Sequence, residues 1–168
     1  MSDQFSYATT SDNISSAMAS NLGLAAAHTE AARQHAAAAD AHATAAEMHF
    51  EALVPDEDFD PDAQYDAMTA SADAAIQTDT AAEATELAGS PITIVRDAQR
   101  EANEASRQTE DGEDPRDAHA AAAKHHATAA TRHAEAAGAA APASQEAEEA
   151  RAEAESAMVR AVDAVAAR

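Results

Sequence analysis

The sequence predicts an all-α fold: an alanine-rich helical bundle or coiled coil of about five helices with a long first helix. Three observations predict it. Alanine, which gives up no side-chain entropy on entering a helix, supplies 54 of the 168 residues. Only four Gly and five Pro interrupt the chain, at a few well-separated points. Histidine recurs every seven residues in two stretches, which is a helical repeat.

The first helix is expected over residues 11–54, after a flexible N-terminus at 1–10, with Pro55 closing it. Some forty residues at 1.5 Å each would extend about 60 Å, the length of a coiled-coil arm. The next three helices begin with one device, a capping side chain followed by Pro at the first helical position: Asp60-Pro61, Ser90-Pro91 and Asp114-Pro115. They are placed at 61–88, 91–110 and 115–138, ended by Gly89, Gly112 and Gly138. The last helix, 143–168, follows Pro142 and carries Met158, Val159, Val162 and Val165 as an apolar stripe expected to be core. Nothing reads as a strand, and residues 11–168 are expected to form a single helical domain. Residues 39–46 and 123–130 agree at six of eight positions, an offset of 84 that superposes His35, His42 and His49 on His119, His126 and His133. A duplicated helical hairpin, 28–88 and 112–168, fits that offset.

Composition limits what such a bundle can be. Leu, Ile, Val and Phe together number only 16, thin material for a core, so disorder competes with folding. Acidic residues outnumber basic ones 31 to 10, for a net charge of −21. That charge repels phosphate backbones and anionic lipid headgroups, so neither nucleic acid nor a membrane surface is an expected partner. With Lys124 as the sole lysine, the composition resembles that of halophilic archaea and their viruses, where concentrated salt screens self-repulsion; a GC-rich actinobacterial or phage genome would also give Ala, Arg, Asp, Glu and Thr in excess. The absence of cysteine excludes disulfides and thiol chemistry. The N-terminus carries no signal-peptide pattern and no segment is apolar enough to span a membrane, so the expected location is cytoplasmic, or the virion if the protein is viral.

Seven of the eight histidines form two ladders: His28, His35, His42 and His49, then His119, His126 and His133, leaving His125 outside. With each His at heptad position a, alanines fill d (Ala31, Ala38, Ala45; Ala122, Ala129, Ala136) and e (Ala32, Ala39, Ala46; Ala123, Ala130, Ala137). Ile14, Ala17, Asn21 and Leu24 extend the register upstream. A His/Ala stripe of this kind faces a neighbouring helix, either the fourth helix or a second copy of the chain. In an antiparallel pair, a layers face d layers, and each imidazole is expected to pack over alanine, mostly neutral and partly solvated. In a parallel oligomer imidazoles would meet, and transition-metal binding (Zn, Ni or Cu) becomes the alternative, with His28, His35, His42, His49, His119, His126 and His133 as ligands. Histidines seven apart are about 10.5 Å apart along one helix, so any metal site needs several helices. Protonation of stacked imidazoles near pH 6 would make the seam a pH switch.

Other candidates are weaker. The run Asp56-Glu-Asp-Phe-Asp-Pro-Asp62 has Pro61 and Ala67 where a calcium loop needs Gly and a bidentate Glu, so it and Glu110–Asp114 are expected to be solvated acidic turns. Serines are expected mainly in caps or on the surface, and no catalytic motif or cofactor site is found. The expected function is therefore non-enzymatic: a structural, assembly or protein-interaction protein that self-associates through the His/Ala seam. The alternatives are a metal-binding bundle and an acidic mimic of DNA.

Overall fold

The computed structural model describes residues 4–53, 60–111 and 114–166, without the side chains of 4–14, 110 and 111. Five helices account for nearly all of them: α1 (Gln4–Ala52), α2 (Pro61–Ala88), α3 (Thr93–Asp111), α4 (Pro115–Ala140) and α5 (Gln145–Ala166). Two of the three expected caps form, whereas α3 starts at Thr93 instead of Pro91, with Ser90 Oγ accepting from the N–H of Ile92 ahead of the helix. Asp60 Oδ1 accepts from the backbone N–H of Asp62 at 2.9 Å, and Asp114 Oδ1 accepts from that of Asp117 at 3.2 Å. Gly89 ends α2 at φ 53°, where a side chain would be strained, and its N–H donates to the Thr85 carbonyl. Gly138 does not end α4, which runs on to Ala140. The stop is Ala141, driven to an extended φ of −140° by the following Pro142. Residues 56–59 of the first acidic turn, and 112–113 of the second, lie outside the described residues.

The 49 residues of α1 run about 73 Å, and the other helices gather on its C-terminal half. Helices α2 and α4 both run antiparallel to α1, whereas α5 runs parallel to it. The α1–α5 seam is edged by ion pairs from Arg33 to Glu149 (3.4 Å) and Glu153 (3.5 Å), and from Arg160 to Asp40. Residues 15–24 are exposed, so the upstream extension of the seam through Ala17, Asn21 and Leu24 is not buried, although Asn21 shares a cavity with the first turns of α5. Ile14 lies among the residues whose side chains are not described.

The core is alanine and histidine. Ala39, Ala43 and Ala46 of α1 pack with Ala123, Ala127 and Ala130 of α4 and Ala154, Ala157 and Ala161 of α5. Small side chains let helix axes approach to the near end of the usual 8–10 Å range, and larger ones would hold them apart. Apart from Val95 of α3, which is buried, large apolar residues consequently fall at the edge or on the outside: Tyr65, Met68, Ile76 and Leu87 of α2 are at least 60% exposed. The same rule overturns the expected stripe of α5. Val159 and Val162 are exposed, Met158 and Val165 pack only at the edge, and the buried stripe is Ala147, Ala150, Ala154, Ala157, Ala161 and Ala164.

Candidate functional site: a buried imidazole column

Because α1 and α4 meet through alanines at e and b, the a positions of both helices project into one groove, which α2 and α3 roof over. Ala31 closes one flank against Ala84 and Ala88 of α2, and Ala129 closes the other against Ala98 and Ala102 of α3. The two ladders therefore face each other within one chain. The expectation that antiparallel helices would set each imidazole over alanine fails, because the contact seam is rotated away from a/d. The rings interdigitate instead. His28 meets His133, His35 meets His126 and His42 meets His119, each pair joined Nδ1 to Nδ1 at 2.9 Å. Between these pairs the rings stack: His35 on His133, His42 on His126 and His49 on His119, at centroid distances of 5.5, 5.4 and 5.5 Å. Seven imidazoles thus form one column, and all but His49 are buried rather than partly solvated.

The outer nitrogens are met by a second ladder. Ser71, Thr78 and Thr85 stand seven residues apart on α2, each beneath a stacked pair. Ser71 Oγ lies 2.9 Å from His49 Nε2 and 3.0 Å from His119 Nε2. Thr85 Oγ1 lies 3.0 Å from His35 Nε2 and 3.4 Å from His133 Nε2. In the middle layer Thr78 is joined by Ser106 of α3, whose Oγ is 2.9 Å from His126 Nε2 and 3.2 Å from His42 Nε2.

Proton positions follow from donor capacity. The hydroxyls of Ser71 and Thr85 donate to the carbonyls of Ala67 and Ala81, both at 2.9 Å, so their oxygens accept from the neighbouring imidazoles. This assigns Nε2–H to His49, His119, His35 and His133. In neutral rings Nδ1 of the last three is then bare, and His42, His126 and His28 donate to them through Nδ1–H. Nε2 of His42 and His126 becomes an acceptor, facing the Thr78 and Ser106 hydroxyls. Nε2 of His28 is an acceptor with nothing to receive from, and it is buried without a partner. The reason is positional: the next rung of the hydroxyl ladder would be residue 92, an isoleucine beyond the end of α2.

The surroundings hold the column neutral. Burial pushes His42 down to about 2, with His126 and His119 adding to the shift. His35 falls to about 3 through burial and His133, and His126 to about 3 through burial, His35 and His125. His119 and His133 fall to about 4, by burial and then by His49 and His28 respectively. Burial also lowers His28 and His49, the latter against the opposing pull of Asp114.

No protein family, curated protein or solved structure matches the chain.

All seven ladder histidines come together, and His125 stands apart on the outer face of α4, 3.8 Å from Glu101. Among the described residues, no three His, Asp or Glu side chains converge as a metal-ligand set. None of the described helices is long and apolar enough to cross a membrane. Sequence reasoning missed Ser71, Thr78, Thr85 and Ser106, which are neither caps nor surface serines and threonines. The seven-residue spacing of the three on α2 was the available signal, since it matches the histidine period.

Proposed function

We propose that the chain is a non-enzymatic structural or assembly protein in which the imidazole column works as a zipper, setting the register of α1 against α4. The observation that carries this reading is the column itself: three Nδ1 pairs, with nearly every outer nitrogen met by a hydroxyl. A close-packed alanine seam says little about register, because one alanine fits where another does. Buried polar groups discriminate, since a misplaced partner leaves a donor or acceptor unpaired at a cost of about 1–3 kcal/mol. The hydroxyl–imidazole contact of Ser106 and His126 is a poor start for catalysis: an imidazole at about 3 is far weaker as a base than one poised near pH 7. The acidic, lysine-poor surface supports a setting in concentrated salt, as in an accessory or virion component of a halophilic archaeon or its virus. Self-association would use the exposed apolar side chains of α2 and of the α1 overhang, because the His/Ala seam is taken up within the chain.

A double-mutant cycle on His35 and His126 tests the zipper. His35→Leu and His126→Leu should each destabilise by about 1–3 kcal/mol in urea melts, and the double variant by clearly less than the sum. Strict additivity would show that the pair carries no coupling and would sink the reading.

A further inference from the structure

Charge separates the two apolar faces that the chain leaves open. The outer face of α2 presents Tyr65, Met68, Ile76 and Leu87, but that helix carries six carboxylates and neither Lys nor Arg. A second copy of the same face would meet it with like charge. The α1 overhang is the opposite case. Asp3 and Asp12 are the only Asp, Glu, Lys or Arg residues before Glu30, so nearly all of the net charge of −21 rests on the bundle. Met18, Leu22 and Leu24 are exposed on this almost uncharged stretch.

Three further features fit the overhang to a copy of itself. The heptad that builds the column continues past His28 through Leu24, Asn21 and Ala17, so an established helix interface runs on without a cover. A cavity of about 750 Å³ opens at the base of the overhang, between Met18, Asn21 and Leu22 on one side and Pro142 and Ala143 of the α4–α5 turn on the other. From Gln4 to Leu24 the overhang extends about 31 Å. Two overhangs laid antiparallel along that length hold their acidic bundles about 30 Å apart, several times the Debye length of about 8 Å in 0.15 M salt. A parallel pair would set the bundles side by side.

We propose that a second copy of the chain covers the overhang: two α1 overhangs pair antiparallel in a two-fold dimer that carries one acidic bundle at each end. In an antiparallel heptad pair a faces d, so position 14 of each copy meets position 17 of the other beside the dyad, and Leu24 of each meets position 7. The same register brings the tip of each overhang to the cavity at Met18 and Leu22 of the other copy. Asn21, polar at an a position, restricts the register, since a slipped copy would leave its amide unpaired. A strip about 31 Å long over somewhat under half of each helix buries on the order of 1,000 Å² in the pair. That is the small end of specific interfaces, so the dimer is reversible, with a Kd of micromolar order. The dimer belongs to the assembly role proposed above and stands apart from the register role of the column, which the His35 and His126 cycle tests separately.

Sedimentation equilibrium of the full chain from about 1 to about 200 µM, in about 0.15 M and about 1 M KCl, reads the association. A reversible dimer is expected at both salt concentrations, with a Kd that changes less than about tenfold, because the bundles lie beyond each other's screening range. Ala17→Glu sets two carboxylates beside the dyad and should weaken the dimer at least about tenfold. Its urea midpoint should stay unchanged, since Ala17 is exposed and lies two turns upstream of Ala25, where burial begins. Ile76→Glu, on the face of α2, should leave the dimer intact. The chain has no cysteine, and a Cβ at Gly23 meets nothing within 4 Å, so Gly23→Cys accepts a single spin label per copy. Antiparallel overhangs place the two labelled positions about 25 Å apart, and parallel ones about 10 Å. A monomer throughout the range, a dimer confined to the higher salt, a dimer that Ile76→Glu breaks and Ala17→Glu spares, or labels about 10 Å apart would each overturn the proposal.

Discussion

Acid should unfold this protein while its carboxylates are still ionised. The unfolded chain binds protons on histidine near 6.5, whereas five column imidazoles are pushed down to between about 2 and about 4 in the fold. Depressed values mean that the stabilisation is complete above about pH 6.5 and is lost as the pH falls below it, because the unfolded state then takes up protons that the folded state refuses. One unit lower, at about pH 5.5, each such histidine favours unfolding by about 1.4 kcal/mol, and five together by about 7 kcal/mol. A domain stable by about 5–10 kcal/mol would therefore reach its acid midpoint between about pH 5 and 6. Carboxylates titrate near 4 and cannot produce a transition there. Asp114, at the His49 end, opposes the downward shift of that imidazole. Urea melts followed by circular dichroism at pH 8, 7, 6 and 5.5, in the presence of a chelator, measure the loss directly. Equal unfolding midpoints at pH 8 and pH 5.5 would refute the argument, since five buried neutral imidazoles cannot leave the stability unchanged.

Two further outcomes follow from the same structure. Thr85→Val keeps the shape of the side chain but removes the acceptor shared by His35 and His133, so two buried N–H groups lose their partner and stability should fall by about 2–4 kcal/mol in urea melts. The net charge of −21 opposes compaction, so thermal melts should show a clearly higher Tm in about 2 M than in about 10 mM KCl, and an unchanged Tm would remove salt screening from the account.

The parts of this fold legible in the sequence are those fixed by local chemistry. Asp60-Pro61 and Asp114-Pro115 announce helix starts because capping and proline geometry act within one turn, and the period of the histidines marks one face of a helix whatever it packs against. Where that face turns was not legible. It depends on which alanines make the seam, and Ala38 and Ala39 are chemically the same residue on different sides of the answer. The inside-out arrangement was hidden for a related reason. A rule that sends large apolar side chains inward expects Val159 and Val162 in the core, but close helix approach is the stronger demand, and only alanine satisfies it. Ser106 could be found only in three dimensions, since no periodic partner on α3 marks it.

A ladder with a constant rung spacing is a poor ruler, because it cannot tell one rung from the next. If α1 slid along α4 by one heptad, the stacked partners His35/His133, His42/His126 and His49/His119 would become the facing pairs, and three rungs would again be filled. Repetition therefore gives strength of alignment together with ambiguity about which alignment is meant. Ser106 is the unrepeated mark on the scale. It occurs at one layer only, between His42 and His126, and a slipped bundle would present it with the wrong pair of rings.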